Sequence, residues 1–215
     1  MIYLVSGLGA DERVFSKLNF GKRSTAFLPW LVPEKNESME NYLERFSQTI
    51  NRQEEVILIG VSFGGIMSIE LSKKIRTKKI ILISSIKAPD EFSPMLRFIK
   101  FTRLYRLFPS SSLTKNFSFL SNYFFGAETP EEKKALQELI RDSDDRIINW
   151  SIEQMFKWKN DLIPKNLYHL HGTRDRIFPF RYLHDAIPVM NGTHFMVANK
   201  AEEVSNIIEQ LLTEK

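Results

Sequence analysis

Val56-Ile57-Leu58-Ile59-Gly60-Val61-Ser62-Phe63-Gly64-Gly65-Ile66 decides how this chain is read. Four apolar residues, mostly β-branched, run into a glycine. A segment of helical spacing follows, Ile66–Ile75, with Ile66, Ile69 and Ile75 on related faces. The stretch is predicted as strand, sharp turn and helix, with Ser62 on the turn in a G-x-S-x-G pattern. A serine held there has a strained backbone and a hydroxyl that projects into open space. Gly60 and Gly64 lack a Cβ, so neighbouring backbone can pass close to the turn. The helix that follows points amide donors and the positive end of its dipole at the same place.

Working outward, Ile2–Val5 is a short apolar strand stopped by Ser6-Gly7-Leu8-Gly9, and Ser24–Leu28 is a weaker one stopped at Pro29. Met39–Ile50 has Met39, Tyr42, Leu43, Phe46 and Ile50 at helical spacing behind Ser38 as N-cap. Lys79–Ser84 is another β-branched run. Strand texture returns at Asn166–Leu170 and near Ile187–Met190, before an amphipathic helix over roughly Ala201–Leu212. Strands that are almost continuously apolar and alternate with helices imply a parallel sheet covered on both faces. The alternation breaks at Lys87–Pro164. From Phe92 to Phe125 the chain is rich in aromatics (Phe92, Phe98, Phe101, Tyr105, Phe108, Phe117, Phe119, Tyr123, Phe124 and Phe125), and its charges, Arg97, Lys100, Arg103, Arg106 and Lys115, include no acid. Thr129 and Pro130 then open helical texture that runs to about Trp158. The expectation is one α/β domain over residues 1–215 with a mainly helical insertion at 87–164. The aromatics suggest an apolar pocket over Ser62. The cations of Met95–Phe108 read as the solvated face of an amphipathic helix.

The chain has 215 residues, enough for one domain with a sizeable core. It has no cysteine, which excludes disulfides, a thiolate nucleophile and cysteine-based zinc sites. A net charge of +4 is too mild to indicate a nucleic-acid partner. No apolar run approaches the roughly 18–20 residues of a membrane helix, so membrane contact is not expected. The apolar opening Met1–Val5 is short and lacks a basic start, so no secretory signal is read there and a cytoplasmic location is expected. A dinucleotide site after the first strand is disfavoured, because Gly7-x-Gly9 lacks a third glycine and no acidic residue closes a second strand about 20 residues on.

A serine hydroxyl needs a base. The chain has four histidines. His169 and His171 lie in or at the end of the strand Asn166–Leu170, and His171, before Gly172, reads as a turn residue. His184 falls in Phe180–Ala186, predicted as a short surface helix. His194 lies between a strand and the last helix, in a loop where an α/β sheet collects catalytic groups. Asp175, just past a strand end in His171–Pro179, is the candidate to orient it. Asp90, in the loop after Lys79–Ser84, is the rival. An oxyanion hole would use the Phe63 N–H and a second donor from Ser6–Ala10, with the Leu8 N–H as candidate.

These residues resemble the α/β-hydrolase superfamily: the turn Gly60–Gly65, then His171–Pro179 with Asp175, then Gly192-Thr193-His194-Phe195, in the order serine, acid, histidine. The resemblance spans the whole chain and puts 87–164 where the superfamily inserts its cap. It implies an α/β-hydrolase fold and acyl-enzyme chemistry on a small-molecule ester with an apolar acyl part. No cofactor is required. Thioester cleavage, C–C bond hydrolysis, acyl transfer on the same scaffold, and small-molecule binding without turnover stay open at this stage. Two departures stand out. The chain starts at the strand that comes third in the superfamily, which predicts a sheet of about six strands, all parallel. Ser6-Gly7 also stands where relatives have His-Gly, a histidine that helps hold the oxyanion loop.

Overall fold

Neighbouring residues of each central strand point into different cores. In the computed structural model, which describes residues 1–106 and 118–213, Tyr3 and Val5 pack on one side of a sheet while Ile2 and Leu4 pack on the other. Ile80 and Leu82 part in the same way from Ile81 and Ile83. This is the two-residue period of a strand covered on both faces.

The sheet has six strands, β1 (Ile2–Val5), β2 (Thr25–Phe27), β3 (Val56–Val61), β4 (Thr77–Ile83), β5 (Leu167–Gly172) and β6 (Ile187–Val189), in the order β2-β1-β3-β4-β5-β6. Every pairing is parallel. From β1 the chain goes to the β2 edge and returns to β3 on the other side of β1. The order therefore reverses between β1 and β3, and the crevice beyond their carboxyl ends is where such sheets bind ligands.

Helices α1 (Met39–Ser47) and α2 (Phe63–Ser72) cover one face, and α8 (Ala201–Thr213), behind the short α7 (Met196–Asn199), covers the other. Between β4 and β5 lie α3 (Pro94–Thr102), α4 (Ser118–Phe125), α5 (Pro130–Asp142) and α6 (Asp145–Lys157). Thr129 opens α5 with a reciprocal capping box to Glu132, and Pro130 sits in the first turn. The helical texture read from Pro130 to about Trp158 is two helices. Asp144 starts the second by accepting the Arg146 N–H. The break lets the chain change sides, since Leu136 and Leu139 join one core while Trp150 and Phe156 join the other.

Other boundaries shift as well. Helix α2 begins at Phe63, three residues before Ile66, because Gly64 and Gly65 hide its start in the sequence. The predicted helix Phe180–Ala186 is only a 3-10 turn over Phe180–Tyr182. Among the inserted aromatics Phe92 is buried, whereas Phe98, Phe101, Phe119 and Tyr123 are exposed. Phe108, Lys115 and Phe117 lie outside the described residues. Among the described residues, no helix is long and apolar enough to cross a membrane.

The ends of β5 and β6 are stitched together. Thr173 N–H donates to the Val189 carbonyl at 3.1 Å and Arg174 N–H to the Gly192 carbonyl at 2.8 Å. A Cβ on Gly172 would collide with that Gly192 carbonyl. Gly172→Ala is therefore expected to lower the unfolding free energy by about 3 kcal/mol, the upper end for forced overpacking. Urea denaturation checks this; wild-type stability in the variant would mean that the two loops have slack.

Candidate active site

Ser62 leaves β3 with φ 54° and ψ −123°, a conformation that L-residues rarely adopt. Such strain costs about 1–3 kcal/mol and persists only where the surroundings over-determine it. Here the Ser62 N–H donates to the Ile83 carbonyl at 2.9 Å, and its own carbonyl accepts from Gly65 N–H at 2.9 Å and Ser85 Oγ at 2.7 Å. Gly64 passes so close to the Val5 and Ser6 carbonyls that a Cβ there would overlap them. The turn is thus wedged between the ends of β1 and β4, and the Ser62 side chain stays half-buried at the sheet's carboxyl edge.

His194 and Asp175 arrive from the loops after β6 and β5. His194 Nε2 is 2.9 Å from Ser62 Oγ, and His194 Nδ1 is 2.7 Å from Asp175 Oδ2. With a carboxylate on Nδ1, that nitrogen carries the proton, so Nε2 is left as the acceptor for the serine hydroxyl. The imidazole is also held by the edges of Phe125 and Phe178, with ring centroids 5.2 and 5.7 Å away. Phe195 N–H donates to the Phe125 carbonyl at 2.9 Å, which ties the His194 loop to the end of α4.

Asp175 is 4% exposed. Its Oδ1 accepts from the Ile177 and Phe178 N–H groups at 2.8 and 2.9 Å. Its Oδ2 accepts from His194 and lies 3.1 Å from His171 Nε2. Burial alone would raise this carboxyl's pKa. Its electrostatic pairing with the His194 imidazole and the hydrogen bonds from His171 and His194 outweigh it and hold the carboxyl well below the usual carboxylate range.

His171 is a site residue that sequence reading missed. It is not a turn residue: it lies within β5, fully buried. Its Nε2 faces two acceptors, the Phe178 carbonyl at 2.8 Å and Asp175 Oδ2, so this nitrogen carries the proton. Its Nδ1 lies 3.1 Å from His169 Nε2. Burial, with His171 alongside, pushes the His169 imidazole well below the usual histidine range, so it is neutral. The rival carboxylate does not join this group. Asp90 is exposed and lies 3.4 Å from His184, which is exposed too.

Leu8 and Phe63 flank the serine. Phe63 is the first residue of α2, so its N–H has no acceptor within the helix. Leu8 sits in a turn closed by Ala10 N–H to the Gly7 carbonyl at 2.8 Å, with φ 34° at Leu8 and 78° at Gly9. Among the described residues, the Leu8 N–H makes no hydrogen bond. The turn lies against Ser62, since a Cβ on Gly7 would sit 3.0 Å from Ser62 Cβ.

A cleft of about 80 Å³ opens beside Ser62 and His194. Val14, Leu136, Leu139, Ile140, Ile148 and Val197 line it together with Phe125 and Phe195, and none of its lining residues carries a charged side chain. Of the aromatics expected over Ser62, Phe125 reaches the cleft; aliphatic residues of α5 and α6 supply much of the rest.

The depressed Asp175 carboxyl has a consequence for acid stability. An unfolded chain takes up this proton near the ordinary aspartate pKa of about 3.9, before the folded chain does. Its stabilising contribution is therefore complete above about pH 5 and drains as pH falls through and below that ordinary value. Asp175→Asn should show a shallower loss of Tm between pH 5 and 3 than the wild type, and parallel curves for the two proteins would refute this.

No family model matches the chain, and no curated protein matches it either. Solved structures do. A hydrolase from Oleispira antarctica superposes with a TM-score of 0.75 at 13% identity, over 99% of this chain and 91% of that one. An esterase from Thermogutta terrifontis gives 0.68 at 18% identity, over 98% and 88%. A bromoperoxidase from Bacillus anthracis gives 0.69 at 16% identity, over 99% and 91%. With its six parallel strands, the serine turn after β3 and these neighbours along nearly its whole length, the chain has the α/β-hydrolase fold.

Proposed function

We infer that the chain is a serine hydrolase that cleaves carboxylic esters through an acyl-enzyme on Ser62. The reading rests above all on one observation: an unbroken relay from Asp175 through His194 to Ser62 Oγ, with contacts of 2.7 and 2.9 Å, at the mouth of an uncharged cleft. Neighbours of the same fold that are esterases favour ester cleavage over the other chemistries of the scaffold.

Ser62 Oγ attacks the ester carbonyl carbon while its proton passes to His194 Nε2. The carbonyl oxygen takes the negative charge and accepts from the Leu8 and Phe63 N–H groups. Asp175 holds the ring in the correct tautomer and stabilises the imidazolium that forms. Collapse of the tetrahedral intermediate breaks the C–O bond, and His194 gives its proton to the departing alkoxide. A water then takes the alcohol's place and attacks the acyl carbon, losing a proton to the same nitrogen; the acyl C–Oγ bond breaks, His194 returns the proton to Ser62 Oγ, and the acid leaves. The segment 87–164 acts as a cap, with α5 and α6 enclosing the acyl group. An apolar acyl chain suits this cleft, whereas a charged one would be stripped of water with no partner there.

Ser62→Ala should lower kcat on a p-nitrophenyl ester by about 10⁴-fold or more. A fluorophosphonate should label the wild type at residue 62. Turnover and labelling that survive the substitution would remove Ser62 from the mechanism. Butyryl esters should exceed succinyl monoesters at least tenfold in kcat/KM; equal rates would overturn the apolar acyl pocket.

A further inference from the structure

The turn that carries Leu8 poses a problem. Leu8, a bulky residue, has φ 34°, in the left-handed region that disfavours it. The residue that opens the turn is Ser6, which is shorter than the histidine found there in the superfamily the chain resembles. Something else must hold the loop.

Ser6 is fully buried, and its hydroxyl does two things. Its Oγ donates to the Ala10 carbonyl, across the base of the Gly7–Ala10 turn, and accepts from Trp30 Nε1 at 2.8 Å. The directions are fixed, because an indole nitrogen only donates and a carbonyl only accepts. Trp30 is itself held. Its ring stacks on Phe46 and on Phe63, each with centroids 5.7 Å away. The next residue, Leu31, is pinned by the Tyr42 hydroxyl, which accepts from its N–H at 2.9 Å and donates to its carbonyl at 3.0 Å. One indole therefore touches both flanks of the serine. It reaches the first through the Ser6 hydroxyl and the second through the Phe63 ring.

We propose that Trp30 is a positioning residue for the oxyanion hole: its N–H, acting through the Ser6 hydroxyl, holds the Gly7–Ala10 turn so that the Leu8 N–H faces the reacting carbonyl. The inference rests on the hydrolase reading and on Leu8 as an oxyanion donor. Trp30 does not line the cleft beside Ser62. It supplies the reach that a serine lacks.

The test uses the full chain with p-nitrophenyl butyrate as substrate and a trifluoromethyl ketone that binds as an oxyanion. Trp30→Phe keeps an aromatic ring and removes the N–H. It should lower kcat about tenfold, less than the 10²–10³ lost when a donor is deleted outright, with KM within about twofold. Affinity for the ketone should fall by a similar factor, which a loss of packing alone would not select. Ser6→Ala should lose at least as much, and the double variant should be no slower than Ser6→Ala, because both act through one hydroxyl. Wild-type kcat in a folded Trp30→Phe, a loss confined to KM, or losses that multiply in the double variant would each overturn the proposal. If Trp30→Phe does not fold, Ser6→Ala decides alone, and unchanged kcat and ketone affinity in it overturn the proposal. A wild type that neither turns over the ester nor takes a fluorophosphonate label instead defeats the hydrolase reading itself, a result distinct from an active wild type with an indifferent Trp30→Phe.

Discussion

A single buried carboxylate dictates most of what surrounds the site. Asp175 sits in the interior, where an ionised group is tolerated only if hydrogen bonds replace its lost water. Two backbone N–H groups satisfy Oδ1, so the chain must turn sharply at Ile177 and Phe178. Two imidazoles address Oδ2, His194 from the neighbouring loop and His171 from the strand below. With the Nδ1–H of His194 donating to this charge, the other ring nitrogen is left to accept, and it faces Ser62 Oγ. The polarity of the relay thus follows from satisfying one anion.

That arrangement works only because the sheet is parallel. Its strands all end at one edge, so the loops after β1, β3, β5 and β6 meet there although they are far apart in sequence. Strain at Ser62 is sustained by the same architecture. Strand β3 is central and buried on both faces, and the turn it feeds is gripped from β4 through the Ile83 carbonyl and the Ser85 hydroxyl. A strained residue on an edge strand such as β2 would have no neighbour on one side to hold it.

How much of this was legible in the sequence depended on how local the signal was. Ser62 was readable because strand, glycines and helix are contiguous around it. Parallel strands were readable from their apolar runs, and Thr129 with Pro130 marked the start of α5. Asp175 and Asp90 were harder to separate, since both follow a strand. The difference lies in which loop the β5–β6 pairing brings beside His194, and that is a tertiary fact. His171 was misread because a residue before glycine resembles a turn. Its spacing from His169 held the missing clue: two histidines at i and i+2 on an apolar strand share a face, and a buried face obliges them to find partners. Ser6 and Trp30 gave no local sign at all, since the bond joining them spans 24 positions. The inserted aromatics were legible only in part. Their density suggested a pocket lining, yet Phe98, Phe101 and Phe119 face outward, and Phe125 lines the cleft alongside aliphatic residues of α5 and α6.

The fold leaves the reaction open, for its neighbours include both an esterase and a bromoperoxidase. What narrows the choice is how polar groups are distributed around the serine. Within the cleft the polar side chains are Ser62, His194 and Ser143. The Ser143 hydroxyl is already committed to the Leu139 carbonyl at 2.7 Å. A ligand entering here finds hydrogen-bonding capacity at one end only, where Ser62, His194 and the Gly7–Ala10 turn converge. Its most polar atoms must go to that end and its hydrocarbon must go away from it, toward Leu136, Leu139 and Val14. On the hydrolase reading proposed above, a carbonyl carbon with an apolar tail is thereby oriented for attack before any chemistry begins, by the same desolvation cost that keeps Asp175 fully hydrogen-bonded.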